Sequence, residues 1–338
     1  MEVAQTATKV LILTEGGKGI GFGHITRCMS LYQAFNERGI VSTICVNGDD
    51  TVRPLLSESK YSILSWNNNE QEILGLVKGF NIVMIDSYLA QRALYENVSE
   101  LVSCPVYLDD NMRIEYPKGI IVNGAIYGKE LNYPNREVAT FMLGSRYMLL
   151  RKEFWSVPKK EVRNTIESVV VTFGGDDMRD MTPRVLGCLV DQFPDIKKKV
   201  VVGKGFQNVN RIEEMADSTT ELIYSPTAEE MKNVMINSDI AVSAAGQTLG
   251  ELARVGVPAI AIGIADNQIN NVRGWSNVGC IEYAGWHDDT CLREKLLSCI
   301  ASLSPIEVRL AKSSIGQGLV DGMGSLRIAD HVLDQVRH

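Results

Sequence analysis

The chain has 338 residues, about the length of two ordinary domains and long enough to form sizeable cores. Its 41 acidic residues outnumber its 34 basic ones and leave a net charge of −7, which excludes the uniformly basic surface of a nucleic-acid-binding or membrane-surface protein. With 45% apolar and 22% charged residues, it has the composition of an ordinary soluble protein.

Signals for targeting and for metal binding are weak in this chain. The N-terminal stretch has neither the basic region nor the long apolar core of a signal peptide, and no apolar run approaches the roughly 20 residues that span a bilayer. The seven cysteines are odd in number and form no C-x-x-C pair, and there are only four histidines. We therefore expect a cytoplasmic protein with reduced thiols, no stable membrane insertion, and no metal or cofactor.

The first half alternates short apolar runs with helical patterns. Predicted strands lie at 9–14, 41–47, 61–66, 81–87, 105–110 and 119–126, and helices are predicted at 24–39 and 89–101. Nearly continuous apolar strands separated by helices indicate a parallel sheet that is covered on both faces.

A polar stretch at 152–167 predicts a linker, so we expect domains at 1–155 and 156–338. Strands are predicted in the second half at 168–177, 198–203, 221–225, 239–244 and 258–265, with helices at 181–193, 207–218, 227–238 and 248–256 and in the last 50 residues. Both halves open with an apolar strand that runs into a Gly-Gly turn, KVLILTEGG and SVVVTFGG. This duplication predicts two Rossmann-like, doubly wound α/β domains facing a central cleft, which is the GT-B fold.

Residues 15–28, EGGKGIGFGHITRC, follow a predicted strand and open a predicted helix. Glycines such as Gly21 and Gly23 let the backbone approach a ligand closely, and the N–H groups at the helix start favour an anion. The spacing of Gly19–Gly23 departs from the G-x-G-x-x-G of dinucleotide-binding proteins, which argues against NAD. His24, beside the helix start, is either a catalytic residue or a structural loop histidine.

In the second segment, residues 243–272, a predicted strand ends in the small-residue turn Ala244-Ala245-Gly246. A helix then begins at Gln247–Thr248, and such an N-terminus suits a diphosphate. Glu251 in its first turn can accept both hydroxyls of a ribose or simply complement the helix dipole. Asp266–Gln268 follows the next strand and is either part of the same site or a polar helix cap.

Two further groups lie at predicted strand ends, where parallel sheets bind ligands. The turn Gly174–Gly175 opens the second domain, and we expect it to contact a ligand through its backbone because the two acids that follow it repel phosphate. Asp86, Asp109 and Asp110 end strands of the first half, with helix N-capping as the alternative role for each.

Taken together, these segments resemble the nucleotide-sugar hydrolases of pseudaminic acid biosynthesis, which act on UDP-2,4-diacetamido-2,4,6-trideoxy-β-L-altropyranose, and SpsG-like spore-coat polysaccharide proteins. The resemblance runs through nearly the whole chain and rests on GIGFGHITRCMSLYQAF, IDSY, MLGSRYMLLRKEF, VTFGGDD, SAAGQTLGELARVGVPAIAI and DNQ. The second half is also similar, more distantly, to the glycosyltransferase MurG. The resemblance implies metal-independent hydrolysis of a UDP-sugar to UDP and free sugar, with inversion at the anomeric carbon.

The resemblance also implies roles for individual residues. His24 falls on the family's catalytic histidine, the general base toward water. Gly246, Gln247 and Thr248 would face the leaving UDP, and Glu251 would bind its ribose. The other implied or predicted substrate contacts are Gly21, Gly23, Arg27, Asp86 and Tyr88 in the first half and Gly174, Gly175, Ser225, Ala245, Asn267 and Gln268 in the second.

Two alternatives remain open at this point. A glycosyltransferase of the same fold would need an acceptor, and a non-catalytic nucleotide-sugar-binding protein would not need His24. The sequence also leaves open the identity of the sugar, the nucleobase and the oligomeric state.

Overall fold

The computed structural model describes residues 8–66, 69–134 and 137–337. The chain divides into two compact units: the N-terminal unit is Met1–Lys152 with Gly322–His338, and the C-terminal unit is Glu153–Asp321. Each unit is built around a parallel sheet with helices between its strands, which confirms the predicted α/β class.

The described strands of the N-terminal unit are β1 (Val10–Gly16), β2 (Ser42–Gly48), β3 (Tyr61–Ile63), β4 (Ile82–Asp86), β5 (Cys104–Leu108), β6 (Gly119–Asn123) and β7 (Ala139–Leu143). They pair in parallel in the order β3-β2-β1-β4-β5-β6-β7. The helices between them are α1 (Gly23–Glu37), α2 (Arg53–Leu56), α3 (Glu70–Val77) and α4 (Arg92–Leu101). Strands β1 and β4 are buried along their whole length, which explains the apolar runs at 10–13 and 82–85.

The described strands of the C-terminal unit are β8 (Ser168–Thr172), β9 (Lys197–Val202), β10 (Thr220–Tyr224), β11 (Ile240–Ala244), β12 (Ala259–Gly263) and β13 (Ile281–Trp286). They also pair in parallel, in the order β10-β9-β8-β11-β12-β13. The helices are α5 (Met181–Gln192), α6 (Val209–Met215), α7 (Ala228–Ile236), α8 (Thr248–Val255), α9 (Ile269–Asn277), α10 (Leu292–Ser302) and α11 (Ile306–Leu319). Helix α7 begins with a capping box between Thr227 and Glu230.

The strand order reverses at the same place in both sheets. The chain starts in the middle of each sheet, moves outward to one edge, and returns on the other side, so that β1 adjoins β4 and β8 adjoins β11. Doubly wound sheets bind ligands at the carboxyl ends of the strands beside this reversal. The two glycine-containing turns predicted to bind a ligand, at 15–28 and 173–177, follow β1 and β8 and therefore lie at the reversal points.

The last helix, α12 (Gly324–Arg337), belongs to the N-terminal unit, which corrects the expectation that the second domain runs to residue 338. Its apolar side chains, including Ile328 and Val332, are fully buried, and the helix packs against α1. At the helix surface, Arg38 pairs with Asp330 through contacts of 2.5 and 2.8 Å. A helical pattern reveals the buried face of α12 but not which unit that face packs on.

We expect Leu333→Ala on α12 to lower the free energy of unfolding of the N-terminal unit by about 2–5 kcal/mol, because it leaves a cavity at a well-packed site. The Leu333 side chain is only 3% exposed. Urea unfolding followed by fluorescence measures the change. The matched control is Leu310→Ala on α11. Because Leu310 is 48% exposed, this variant should lose little free energy of unfolding. Equal losses in the two variants would contradict the packing assigned to α12.

Candidate active site

A glycine-rich turn joins β1 to α1 and sets the position of His24. Gly17 and Gly21 bond to each other through N–H and carbonyl groups at 3.1 and 2.9 Å, which closes the turn. Gly21 has a φ of +89°, a left-handed conformation that favours glycine. Asp49, just after β2, accepts a backbone hydrogen bond from the turn. Helix α1 then begins at Gly23, so that His24 lies in its first turn.

Asp86 ends β4, the neighbour of β1, and is fully buried. Arg27 donates to it twice, from Nε at 2.6 Å and from a terminal nitrogen at 2.5 Å. Burial by itself would raise the pKa of Asp86, but the charges of Arg27 and His24 and their hydrogen bonds hold the pKa well below its usual range. Asp86 is therefore an ionised carboxylate at neutral pH.

His24 contacts this carboxylate directly. Its Nδ1 lies 2.7 Å from Oδ1 of Asp86, and its ring packs edge-on against Tyr88 with the ring centroids 4.6 Å apart. Two acceptors cannot approach this closely without a proton between them, so Nδ1 donates to the ionised Asp86. In the neutral ring, Nε2 is then left as the proton acceptor, and the 12% exposed side chain keeps some access to solvent.

Arg27 lies one turn after His24 on α1 and is only 7% exposed. Its other terminal nitrogen donates to both oxygens of Asp110 at 2.8 and 2.7 Å. Asp110 also accepts from the Tyr88 hydroxyl at 2.6 Å, and burial together with the charge of Asp110 raises the pKa of Tyr88. Arg27 therefore donates to Asp86 and Asp110, and the terminal nitrogen that binds Asp86 also lies 3.1 Å from Nδ1 of His24. These contacts allow Arg27 to position both carboxylates, and its predicted contact with substrate stays a prediction.

The three acids predicted at strand ends have different roles. Asp109 is buried and accepts from the backbone N–H of Met112 at 2.6 Å and from the Tyr116 hydroxyl at 2.7 Å, so it anchors the loop after β5. Asp86 and Asp110 instead bind Arg27 from two sides. The N-capping alternative does not describe Asp86, because α4 has Gln91 at its N-cap.

Glu15, which was not among the predicted site residues, lies beside His24. It is 1% exposed near the end of β1, where it accepts hydrogen bonds from the backbone N–H of Tyr88 at 2.6 Å and from the Ser87 hydroxyl. Its Oε1 lies 4.0 Å from Nε2 of His24, the ring nitrogen that does not contact Asp86. The available signal was an acid at the end of an apolar strand, the same signal that identified Asp86.

In the C-terminal unit, the turn after β8 presents open backbone. Gly174 has a φ of +82°, and a Cβ added at Gly174 or Gly175 meets no atom within 4 Å. The Asp177 carboxylate accepts from the N–H groups of Met181 and Thr182 at 2.9 Å each. This carboxylate is therefore directed at the start of α5, which agrees with a turn that offers its backbone to a ligand.

A second turn, Ala245-Gly246-Gln247, joins β11 to α8. A Cβ added at Gly246 would lie 3.7 Å from Nε2 of Gln268, so Gln268 lies beside this turn. The side-chain oxygen of Gln268 accepts from the N–H of Ile264 at 3.0 Å, which fixes its amide. Among the described residues, no side chain caps α8 at Gln247. Helix starts of this kind bind anions through their backbone N–H groups.

The remaining predicted contacts have clear positions in the C-terminal unit. Thr248 begins α8, Glu251 is half-buried in its first turn, and Asn267 is exposed in the short turn before α9. Ser225 follows β10 in a left-handed conformation with a φ of +46°. The structure thus brings Gly246 and Gln268 together, and it joins His24, Asp86 and Tyr88 in the N-terminal unit. Their contacts with a substrate remain predictions.

The described residues contain no group of three His, Cys, Asp or Glu side chains arranged to hold a metal ion. Over the same ranges, none of the helices is both long enough and apolar enough to cross a membrane. All seven cysteines are free thiols, and every one except Cys291 is buried.

Two relatives and one family model match the sequence. Residues 168–317 match the glycosyltransferase family 28 C-terminal domain. The spore coat polysaccharide biosynthesis protein SpsG of Bacillus subtilis is 25% identical over 338 aligned residues, which cover 94% of this chain and 95% of that protein. An uncharacterised protein of Methanocaldococcus jannaschii is 25% identical over 270 residues, which cover 75% of this chain and 55% of that protein. The chain thus spans about half the length of this second relative.

Solved glycosyltransferase structures share the fold. MurG of Acinetobacter baumannii superposes with a TM-score of 0.68 at 13% identity, covering 96% of this chain and 99% of that one. Phytolacca americana UGT2, solved with UDP-2-fluoro-glucose and pterostilbene, gives 0.67 at 11% identity, covering 98% and 100%. Arabidopsis thaliana UGT89C1, solved with UDP-L-rhamnose, gives 0.64 at 13% identity, covering 97% and 99%. The chain therefore has the GT-B fold, and residues 168–317 of its C-terminal unit match the C-terminal domain of glycosyltransferase family 28.

Proposed function

We propose that this protein hydrolyses a nucleotide-activated sugar to a nucleoside diphosphate and the free sugar. The observation that carries the proposal is the contact of 2.7 Å between His24 Nδ1 and the buried Asp86. A histidine whose Nδ1 donates to a carboxylate has Nε2 available as the proton acceptor of a general base. The same carboxylate stabilises the imidazolium once the proton has been taken up.

In the proposed reaction, the oxygen of water attacks the anomeric carbon while its proton moves to Nε2 of His24. The bond between that carbon and the phosphate oxygen breaks, its electron pair leaves with UDP, and the anomeric configuration inverts. We assign the leaving diphosphate to the backbone of Gly246–Thr248 and the ribose to Glu251. Ser225 is assigned to the nucleobase. The phosphates or the sugar are assigned to Gly174–Gly175, Asn267 and Gln268.

The substrate we favour is a UDP-2,4-diacetamido-2,4,6-trideoxyhexose. This choice rests on the family resemblance of the motifs around His24, Asp86 and Gly246, and on none of the contacts described above. The name of SpsG, a spore coat polysaccharide biosynthesis protein, supports a place in surface polysaccharide synthesis.

Glycosyl transfer to an acceptor hydroxyl is the second candidate. It is favoured by the match of residues 168–317 to a glycosyltransferase domain and by the glycosyltransferase structures that share the fold. A histidine base serves either reaction, because water and an alcohol both lose a proton as they attack.

One experiment tests the reaction and separates the two candidates. The purified protein is incubated with UDP-, GDP- and CMP-sugars in ¹⁸O-labelled water with EDTA, and the products are analysed by NMR and mass spectrometry. Hydrolysis predicts release of UDP, one ¹⁸O atom in the inverted free sugar and none in UDP. Label in UDP would place the attack at phosphorus and contradict the role of His24. Tight UDP binding without turnover would favour transfer.

We expect Gln247→Glu to weaken UDP binding roughly tenfold, because it places a negative charge beside the proposed diphosphate site. Gln247 is exposed at the start of α8, so the fold should tolerate the change. Titration calorimetry measures the Kd. The matched control is Gln192→Glu, which adds the same charge at an exposed position at the end of α5. Equal Kd values for the two variants would argue against a diphosphate at α8.

A further inference from the structure

His24 lies between two carboxylates, and the reaction proposed above uses only one of them. Asp86 contacts Nδ1 at 2.7 Å, whereas Oε1 of Glu15 lies 4.0 Å from Nε2, the nitrogen that takes the proton. Both carboxylates are buried, since Glu15 is 1% exposed and Asp86 is 0% exposed. A buried carboxylate this close to Nε2 can also contact the water that His24 deprotonates.

Glu15 is held firmly in this position. The N–H of Tyr88 and the Ser87 hydroxyl donate to its two oxygens, and the N–H of Leu89 approaches Oε2 at 3.4 Å. These donors follow β4 directly, so Glu15 on β1 and Asp86 on β4 are fixed by the same pair of adjacent strands. Oε1 has one described donor, and a carboxylate oxygen has two lone pairs, which leaves it able to accept another hydrogen bond.

We infer that Glu15 orients the attacking water and selects water over alcohols, an inference that rests on the hydrolysis proposed above. For a water oxygen about 2.8 Å from both Nε2 and Oε1, the angle between the directions to these two acceptors is about 90°. This is close to the angle between the two O–H bonds of water. One O–H then points to His24, which takes the proton, and the other donates to Glu15. An alcohol has one O–H, so the same pose would leave its carbon against the buried carboxylate.

The test compares wild type with Glu15→Gln in mixtures of water and methanol. The free sugar and the methyl glycoside are quantified by NMR, together with kcat, KM and the melting temperature. We expect kcat for hydrolysis to fall about tenfold to a hundredfold, the effect of losing a charge-assisted hydrogen bond, while KM changes little. The ratio of methyl glycoside to free sugar should rise at least several-fold. A purely structural role for Glu15 would lower both products together and leave this ratio unchanged.

Two further variants keep the test decisive. Glu37→Gln removes the same charge at the exposed end of α1 and should keep the wild-type ratio. If Glu15→Gln is too unstable, Glu15→Asp keeps the charge but withdraws the carboxylate from Nε2, and the ratio should again rise. If wild type hydrolyses the substrate and a folded Glu15 variant keeps the wild-type ratio of methyl glycoside to free sugar, this inference alone is overturned. Failure of wild type to hydrolyse any nucleotide sugar overturns the proposed function as well.

Discussion

His24→Ala should lower the rate of nucleotide release about 10²–10⁴-fold, the usual contribution of a general base, and leave UDP affinity unchanged. The substitution removes Nε2, but Arg27 still pairs with Asp86 through two hydrogen bonds, so no buried carboxylate is left without a partner. UDP is assigned to residues of the C-terminal unit, whereas His24 belongs to the N-terminal unit. Steady-state kinetics gives the rate, and titration calorimetry gives the Kd for UDP.

The matched control for this variant is His287→Ala, because His287 follows β13 in the other unit and has no assigned role in the reaction. It should keep near-normal turnover. Turnover close to wild type in His24→Ala would remove the proposed base. A parallel loss of UDP affinity would indicate a binding role instead.

Asp86→Asn should be the most damaging substitution in the N-terminal unit, with turnover lowered by up to about 10⁴-fold. The amide can donate to Nδ1 of His24, which favours the tautomer with a proton on Nε2 and blocks the base. The variant should also lose about 3 kcal/mol of unfolding free energy, because Arg27 keeps its buried charge and loses one of its two carboxylate partners. The matched control is Asp330→Asn, whose half-exposed pair with Arg38 should be worth at most about 1 kcal/mol.

The pH dependence of stability gives an independent check on Asp86. Its pKa is lowered in the folded protein, so its contribution is fully present above about pH 4, the range of an unfolded Asp, and is lost as the pH falls toward the folded value. Between pH 6 and pH 3, wild type should therefore lose more unfolding free energy than Asp86→Asn. Urea titrations at several pH values measure the difference. Parallel curves would mean that Asp86 is not held ionised in the fold.

The strands that carry the candidate site were predictable because they are central and fully buried. In NIVMIDS the four residues before Asp86 are all apolar, so the strand predicted at 81–87 differs from the observed β4 by only one residue at each end. The turn after β1 was predictable because Gly17 and Gly21 adopt conformations that other residues avoid. Both features depend on local sequence.

The edge strands β7 and β13 were missed for the opposite reason. At these two edges the apolar run is interrupted: Thr140 is exposed in β7, and Tyr283 in β13 is 40% exposed. In β13 the register also shifts beside Gly285, where φ is +115°. Neither strand shows the continuous pattern that identified β1 or β4.

The hydrogen-bond partners of individual side chains could not be predicted from the sequence, because they come from distant parts of the chain. Arg27 was predicted only as a substrate contact, but folding brings two carboxylates to it, Asp86 at the end of β4 and Asp110 just after β5. Glu15 became visible as part of the site only when β1 and β4 paired. These contacts cannot be derived from the spacing of residues along the chain.

The return of α12 to the N-terminal unit has a consequence for biosynthesis. The C-terminal unit is one continuous stretch, Glu153–Asp321, and can complete its fold as soon as that stretch has left the ribosome. The N-terminal unit is translated first, yet it must wait for Gly322–His338 before α1 gains its packing partner. The order of synthesis and the order of completion are therefore reversed. A fragment ending at Lys152 should be prone to aggregation unless α12 is supplied as a peptide or fused to it.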